Sequence, residues 1–178
     1  MWAFQWGGAI SAKYSVEHPE NIKSLSLLAP LVATPNRLDL SLIKMPLLGE
    51  YLATVVMLPR IKNNIETMIY DPTSYPEWAE NVEKHIHFKG YRRALLSTAR
   101  NLAGQNEIET YTALGKTDIP VQLIWGREDP IADYAQAETL QKAVPNLTLH
   151  TLEKSGHLPQ IEHTEQVNHW LKEHLLAH

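Results

Sequence analysis

Beyond Pro120 the chain alternates extended and helical patterns, and this alternation limits its fold more than any other stretch. Val121 to Trp125 is a β-rich apolar run closed by Gly126, Ala132 to Ala143 suits a helix, and Leu147 to Leu152 reads as a second strand. A final amphipathic helix carries Val167, Trp170, Leu171 and Leu175 on one stripe. Strand, helix, strand, helix at these lengths means βαβ units, a parallel sheet and helices laid over it. Near the start, Ser24 to Leu28 is another short apolar strand, stopped by Ala29-Pro30. Ahead of it Gly8, Ser11, Ala12 and Ser15 share one helix face, small enough for a strand to approach closely. His18-Pro19 ends that helix, because proline disfavours helical geometry in the residue before it.

Between these parts, residues 31–106 contain no convincing strand. Trp78, Val82 and Ile86 fall at helical spacing, as do Tyr91, Ala94, Leu95, Thr98 and Leu102. Pro46, Pro59, Pro72 and Pro76 divide the region into short helices. The expected organisation is a core built from 1–30 and 107–178, about three parallel strands with flanking helices, and a helical insertion over 31–106.

Composition narrows the function. A formal net charge of −4 without a long basic run argues against nucleic acid, since phosphate binding needs clustered cations. Lys89, Arg92, Arg93 and Arg100 come nearest to such a cluster, and their helical pattern reads as a solvated face. The absence of cysteine excludes disulfides, a thiol nucleophile and thiolate metal sites. No apolar run reaches the roughly 18–20 residues of a membrane helix. The apolar start, Met1 to Trp6, lacks the basic region of a signal peptide, so the expectation is a cytoplasmic chain with no membrane span. His85-x-His87 puts its histidines on different helix faces, and His163 with Glu162 and Glu165 is weak as a metal site. Neither a metal nor a cofactor is expected.

Two loops bear chemistry, because each follows a strand, where α/β sheets place their active residues. One is Trp125-Gly126-Arg127-Glu128-Asp129-Pro130; the other is Ser155-Gly156-His157-Leu158-Pro159. Either polar residue alone is readily a turn or loop residue. Together, 28 residues apart with one helix and one strand between them, Asp129 and His157 sit at the same edge of adjacent parallel strands. An aspartate so placed fixes the tautomer of an imidazole that takes a proton on its other nitrogen.

On these motifs the chain resembles the α/β-hydrolases. Trp-Gly-x-x-Asp at 125–129 and Ser-Gly-His-x-Pro at 155–159 look like that family's acid and histidine loops. Gly7 to Ala12, His18-Pro19-Glu20 and the strand to Leu28 resemble its nucleophile elbow, following helix and next strand. The insertion is similar to a helical cap, and Lys89-Gly90-Tyr91-Arg92-Arg93-Ala94-Leu95-Leu96 to cap sequence of esterase- and lipase-like members. The resemblance implies the C-terminal part of an α/β-hydrolase fold, a Ser-His-Asp triad and a small-molecule ester or acyl substrate.

The elbow departs from the family. Gly-x-Ser-x-Gly aligns with Ala3-Phe4-Gln5-Trp6-Gly7, so Gln5 stands where the resemblance puts serine. Glutamine has no hydroxyl for His157 to deprotonate, and losing the nucleophile of such a triad costs on the order of 10⁶ in turnover. The resemblance also assigns the Trp6 backbone N–H to the oxyanion hole, whose second donor belongs to a loop ahead of this sequence; one such donor is worth about 10²–10³ in rate. The expectation is a truncated or inactive hydrolase, the alternative a non-catalytic ligand-binding or interaction protein on the same fold. With only three strands, the strand at 24–28 would present an unpaired apolar edge, and self-association, aggregation or marginal stability is expected from it.

Overall fold

A computed structural model describes residues 1–33, 42–102 and 106–178. Among the described residues the sheet has four strands rather than three: β1 (Trp2–Phe4), β2 (Leu25–Leu28), β3 (Val121–Gly126) and β4 (Leu147–Leu152), in the order β1-β2-β3-β4. All three pairings are parallel, with Ala3 opposite Leu27, Leu27 opposite Leu123 and Leu123 opposite Leu149. The edge expected at 24–28 is therefore occupied: β1 covers β2, and the outer position falls to Trp2–Phe4. Three residues show no periodicity, which is why Trp-Ala-Phe is not legible as a strand.

The described helices are α1 (Trp6–Glu17), α2 (Leu48–Leu52), α3 (Leu58–Asn64), α4 (Glu77–Ile86), α5 (Tyr91–Leu102), α6 (Ile108–Leu114), α7 (Ala135–Ala143), α8 (Pro159–Glu162) and α9 (Thr164–Ala177). Every residue of β2 and β3 is buried, as befits central parallel strands covered on both faces. Leu25, Leu27, Val121, Leu123 and Trp125 pack with Ala12 of α1, Tyr111 and Leu114 of α6, and Ala137 and Leu140 of α7. Leu28, Ile124 and Leu152 form a second cluster with Val167, flanked by Trp170 and Leu171 of α9. Leu175 does not extend that stripe; it is 66% exposed in the last turns of the helix. The Gln122 side-chain amide donates to Ser26 Oγ at 2.8 Å, so the two buried polar side chains of neighbouring strands satisfy each other.

Chain contacts divide the molecule into two compact units. The first holds Met1–Ala33, Met68–Tyr70 and Asn106–His178; the second holds the described residues of Thr34–Thr67 and Asp71–Gln105. Residues 68–70, inside the expected insertion, thus pack within the sheet unit. In the second unit α2 runs through a π-helical turn, Ala53–Met57, into α3. Arg100 closes this unit by donating to the carbonyls of Ile43 and Met45 and pairing with Glu50. Lys62 pairs with Glu83, and the Trp78 indole N–H donates to the Ile65 carbonyl at 3.1 Å.

Gly8 is the residue that lets α1 lie against the turn after β2. A Cβ there would stand 2.5 Å from Pro30 Cβ and 3.1 Å from its Cα, with backbone unable to withdraw. Gly8→Ala is expected to cost about 1–3 kcal/mol, the usual scale for overpacking a core contact. Urea unfolding at constant pH measures it, and an unchanged midpoint would show that α1 is not held this closely.

Candidate active site

Because the sheet is parallel throughout, the chain leaves every strand at the same edge. Gln5 follows β1, Asp129 lies three residues past β3, and His157 lies on the loop after β4. Two glycines let the last two loops meet. A side chain on Gly126 would run into the carbonyl oxygens of Ser155 and Gly156, and one on Gly156 would come within 2.6 Å of the Met68 oxygen. The loops are then zipped by backbone: Arg127 N–H donates to the Leu152 carbonyl at 2.9 Å and Glu128 N–H to the Ser155 carbonyl at 3.1 Å.

Asp129 performs two tasks. Its Oδ1 accepts the N–H groups of Ile131 and Ala132, both at 2.8 Å, which makes it the turn residue that its position alone allowed. Its Oδ2 accepts from His157 Nδ1 at 2.8 Å, with both side chains almost wholly buried. An ionised carboxylate only accepts, so this bond puts the imidazole proton on Nδ1 and leaves Nε2 as the basic nitrogen. That Nε2 is buried and has no hydrogen-bond partner among the described residues. The Phe4 ring packs on the imidazole with centroids 5.0 Å apart, which brings the end of β1 directly beside His157.

Gln5 joins β1 to α1 at φ 47° and ψ −117°, a backbone conformation that L residues rarely adopt. Such a residue costs on the order of 1–3 kcal/mol and persists only where its surroundings hold it. Here they do: Gln5 N–H donates to Leu28, and the Gln5 carbonyl accepts from both Gly8 and Leu31. A sharp strand-to-helix turn of this kind is what exposes a nucleophile in a nucleophile elbow. Trp6 opens α1, so its N–H belongs to the set at the helix N-terminus that the helix itself leaves free.

Other sequence candidates are placed elsewhere. Glu162, weighed with His163 and Glu165 as a metal site, instead accepts backbone N–H groups of Gly156, Leu158 and Tyr70. His85 Nδ1 donates to the Asn81 carbonyl one helical turn away. Among the described residues no group of three or more such side chains is close enough to hold a metal ion. Arg92 and Arg93 line an open cavity of about 700 Å³ inside the helical unit with Arg100, Tyr51 and Thr54. No helix among the described residues is long and apolar enough to cross a membrane.

The family model for serine aminopeptidase S33 matches residues 1–164. The chain belongs to that family of α/β-hydrolases. It is 26% identical over 166 residues to the monoacylglycerol lipase ABHD6 of Rattus norvegicus, covering 85% of this chain and 47% of the lipase. It is 25% identical over 176 residues to a 2-hydroxy-6-oxononadienedioate/2-hydroxy-6-oxononatrienedioate hydrolase of Burkholderia vietnamiensis, covering 95% of this chain and 59% of that protein. Among solved structures, a thermophilic esterase from Thermogutta terrifontis superposes with a TM-score of 0.77 at 17% identity, over 99% of this chain and 64% of the esterase. The 2-hydroxy-6-oxo-6-phenylhexa-2,4-dienoate hydrolase of Rhodococcus sp. strain RHA1 gives 0.75 at 23%, over 98% and 62%. This α/β-hydrolase chain spans about half the length of the curated lipases it matches.

Asp129→Ala removes the acceptor of three donors at once: Ile131 N–H, Ala132 N–H and His157 Nδ1–H. The expected loss of stability is at least ~2 kcal/mol, given ~1–3 kcal/mol for each buried donor left unsatisfied and some relaxation. Denaturant unfolding reads it, and a loss below half of that would mean the turn does not depend on this carboxylate.

Proposed function

We propose that this α/β-hydrolase chain carries the acid and base of a hydrolytic triad, Asp129 and His157, with Gln5 in the nucleophile's seat. It therefore does not turn over esters by the covalent route. The observation that carries the reading is the strained Gln5 turn, next to Phe4 on the His157 ring, and a buried imidazole whose Nε2 has no partner among the described residues. The relatives named as lipases and as a dienedioate hydrolase favour small ester or related acyl compounds as the substrate class of the full-length protein.

In a chain with serine at position 5, the hydroxyl would hand its proton to His157 Nε2 as its oxygen attacks the acyl carbon. Asp129 would hold the ring and stabilise the imidazolium formed, and the Trp6 N–H would face the developing oxyanion. His157 would then return the proton to the leaving alkoxide and activate water for the second half. Residues 31–106 correspond in this reading to the helical cap insertion of such a hydrolase. Glutamine breaks the first step, since its delocalised amide nitrogen is a weak nucleophile and it has no hydroxyl proton to give.

A second reading, a binding protein that holds an acyl ligand without cleaving it, is favoured by Gln5 itself. Its side chain makes no capping bond to α1 and the residue is half-buried, which suits an amide contact with a ligand.

Mixed with p-nitrophenyl acetate, the unaltered chain is expected to give no burst of nitrophenol and no acetyl adduct by intact mass. One equivalent of burst, with the acetyl group mapped to a side chain of this site, would contradict the proposal.

A further inference from the structure

We infer that Glu162 is the positioning residue for His157. His157 is flanked by two amide groups, Gly156 N–H and Leu158 N–H, and the Glu162 carboxylate takes both. Gly156 donates to Oε1 at 2.9 Å and to Oε2 at 3.0 Å, and Leu158 donates to Oε1 at 3.3 Å. The histidine's own N–H donates to the Met68 carbonyl at 2.7 Å. Three successive amides are thereby fixed, and the loop keeps little freedom to turn the imidazole away from Asp129.

The carboxylate also reaches outside the loop. Tyr70 N–H donates to Glu162 Oε2 at 2.7 Å, so Glu162 ties the histidine loop to the Met68–Tyr70 strap, which leaves the helical stretch to pack in the sheet unit and then returns to it. Gly156 has no room for a side chain there, with the Met68 oxygen at 2.6 Å and the Tyr70 nitrogen at 3.0 Å from an added Cβ. Hydrogen bonds to an ionised acceptor are roughly twice as strong as neutral ones, which suits a carboxylate better than an amide for gathering three N–H groups. Its place on α8 follows from the sequence: Pro159 starts a single turn directly after His157-Leu158, and the turn brings the residue five beyond the histidine back over its own loop. Glu162 touches no reacting atom; it acts through the placement of His157.

The importance of that placement rests on the reading of His157 as a proton acceptor, but the test does not require turnover. In the unaltered chain, with Gln5 retained, ¹H–¹⁵N spectra of the histidine rings are expected to show a low-field Nδ1–H resonance for His157, shielded from solvent exchange. In Glu162→Ala that resonance is expected to broaden or vanish, and the Gly156, Leu158 and Tyr70 amides to exchange at least about tenfold faster. Leu123 and Ile124 amides in β3 should keep their protection. Leu140→Ala serves as the control for general destabilisation, and it should leave the ring resonance in place. Glu162→Gln, which keeps one acceptor oxygen, should fall between the two, and it carries the test if the alanine variant does not fold. A folded Glu162→Ala or Glu162→Gln chain with an unchanged ring resonance and unchanged exchange of the three amides overturns the inference. These outcomes stand whether or not the chain is ever found to react with an ester.

Discussion

Parallel pairing is the constraint on which the rest depends. Four strands that all run the same way deliver four chain ends to one edge, and three of those ends carry Gln5, Asp129 and His157. No local feature of any single loop would bring a residue near the start of the chain together with two near its end. The register does so, through the Ala3–Leu27–Leu123–Leu149 line across the sheet. The buried apolar faces of β2 and β3 then lock that register, because a one-residue slip would reverse which side chains meet which helix layer.

Much of this frame was legible in the sequence because its signals are long or redundant. β4 spans the expected residues, and β3 extends one residue further to Gly126. Of the expected helix face, Gly8, Ala12 and Ser15 turn inward and Ser11 is half-buried. The acid and histidine loops carry glycine and proline, whose backbone demands announce tight turns. Three features were not legible. β1 is too short to show a period, although its presence moves the outer position among the described strands from Leu25–Leu28 to Trp2–Phe4. The helix after Asp129 begins at Ala135 rather than Ala132, because Asp129 draws the Ile131 and Ala132 amides into a turn of its own. The 68–70 strap meets Glu162 beside the histidine loop through a contact across 92 positions of chain, which no local pattern encodes.

The geometry of the turn at Gln5 is set by its backbone. The turn at Gln5 demands positive φ from a residue with a full side chain, and three hydrogen bonds to Leu28, Gly8 and Leu31 hold it there. None of those bonds involves the side chain, so the turn is indifferent to whether serine or glutamine occupies it. Asp129 and His157 are likewise held by backbone partners as much as by each other. The proposed acid–base pair is thus in hydrogen-bonding contact, and the turn that the proposal gives to a nucleophile holds glutamine.

Covalent labelling of a Gln5→Ser variant by an alkyl fluorophosphonate tests that claim most directly. A serine set in this turn beside a basic His157 Nε2 is expected to take up the phosphonyl group on residue 5, read by peptide mass. The label should be lost when His157→Ala is added, and it should be absent from the unaltered chain. A folded Gln5→Ser chain that takes no label, or an unaltered chain that takes it within this site, would contradict the account.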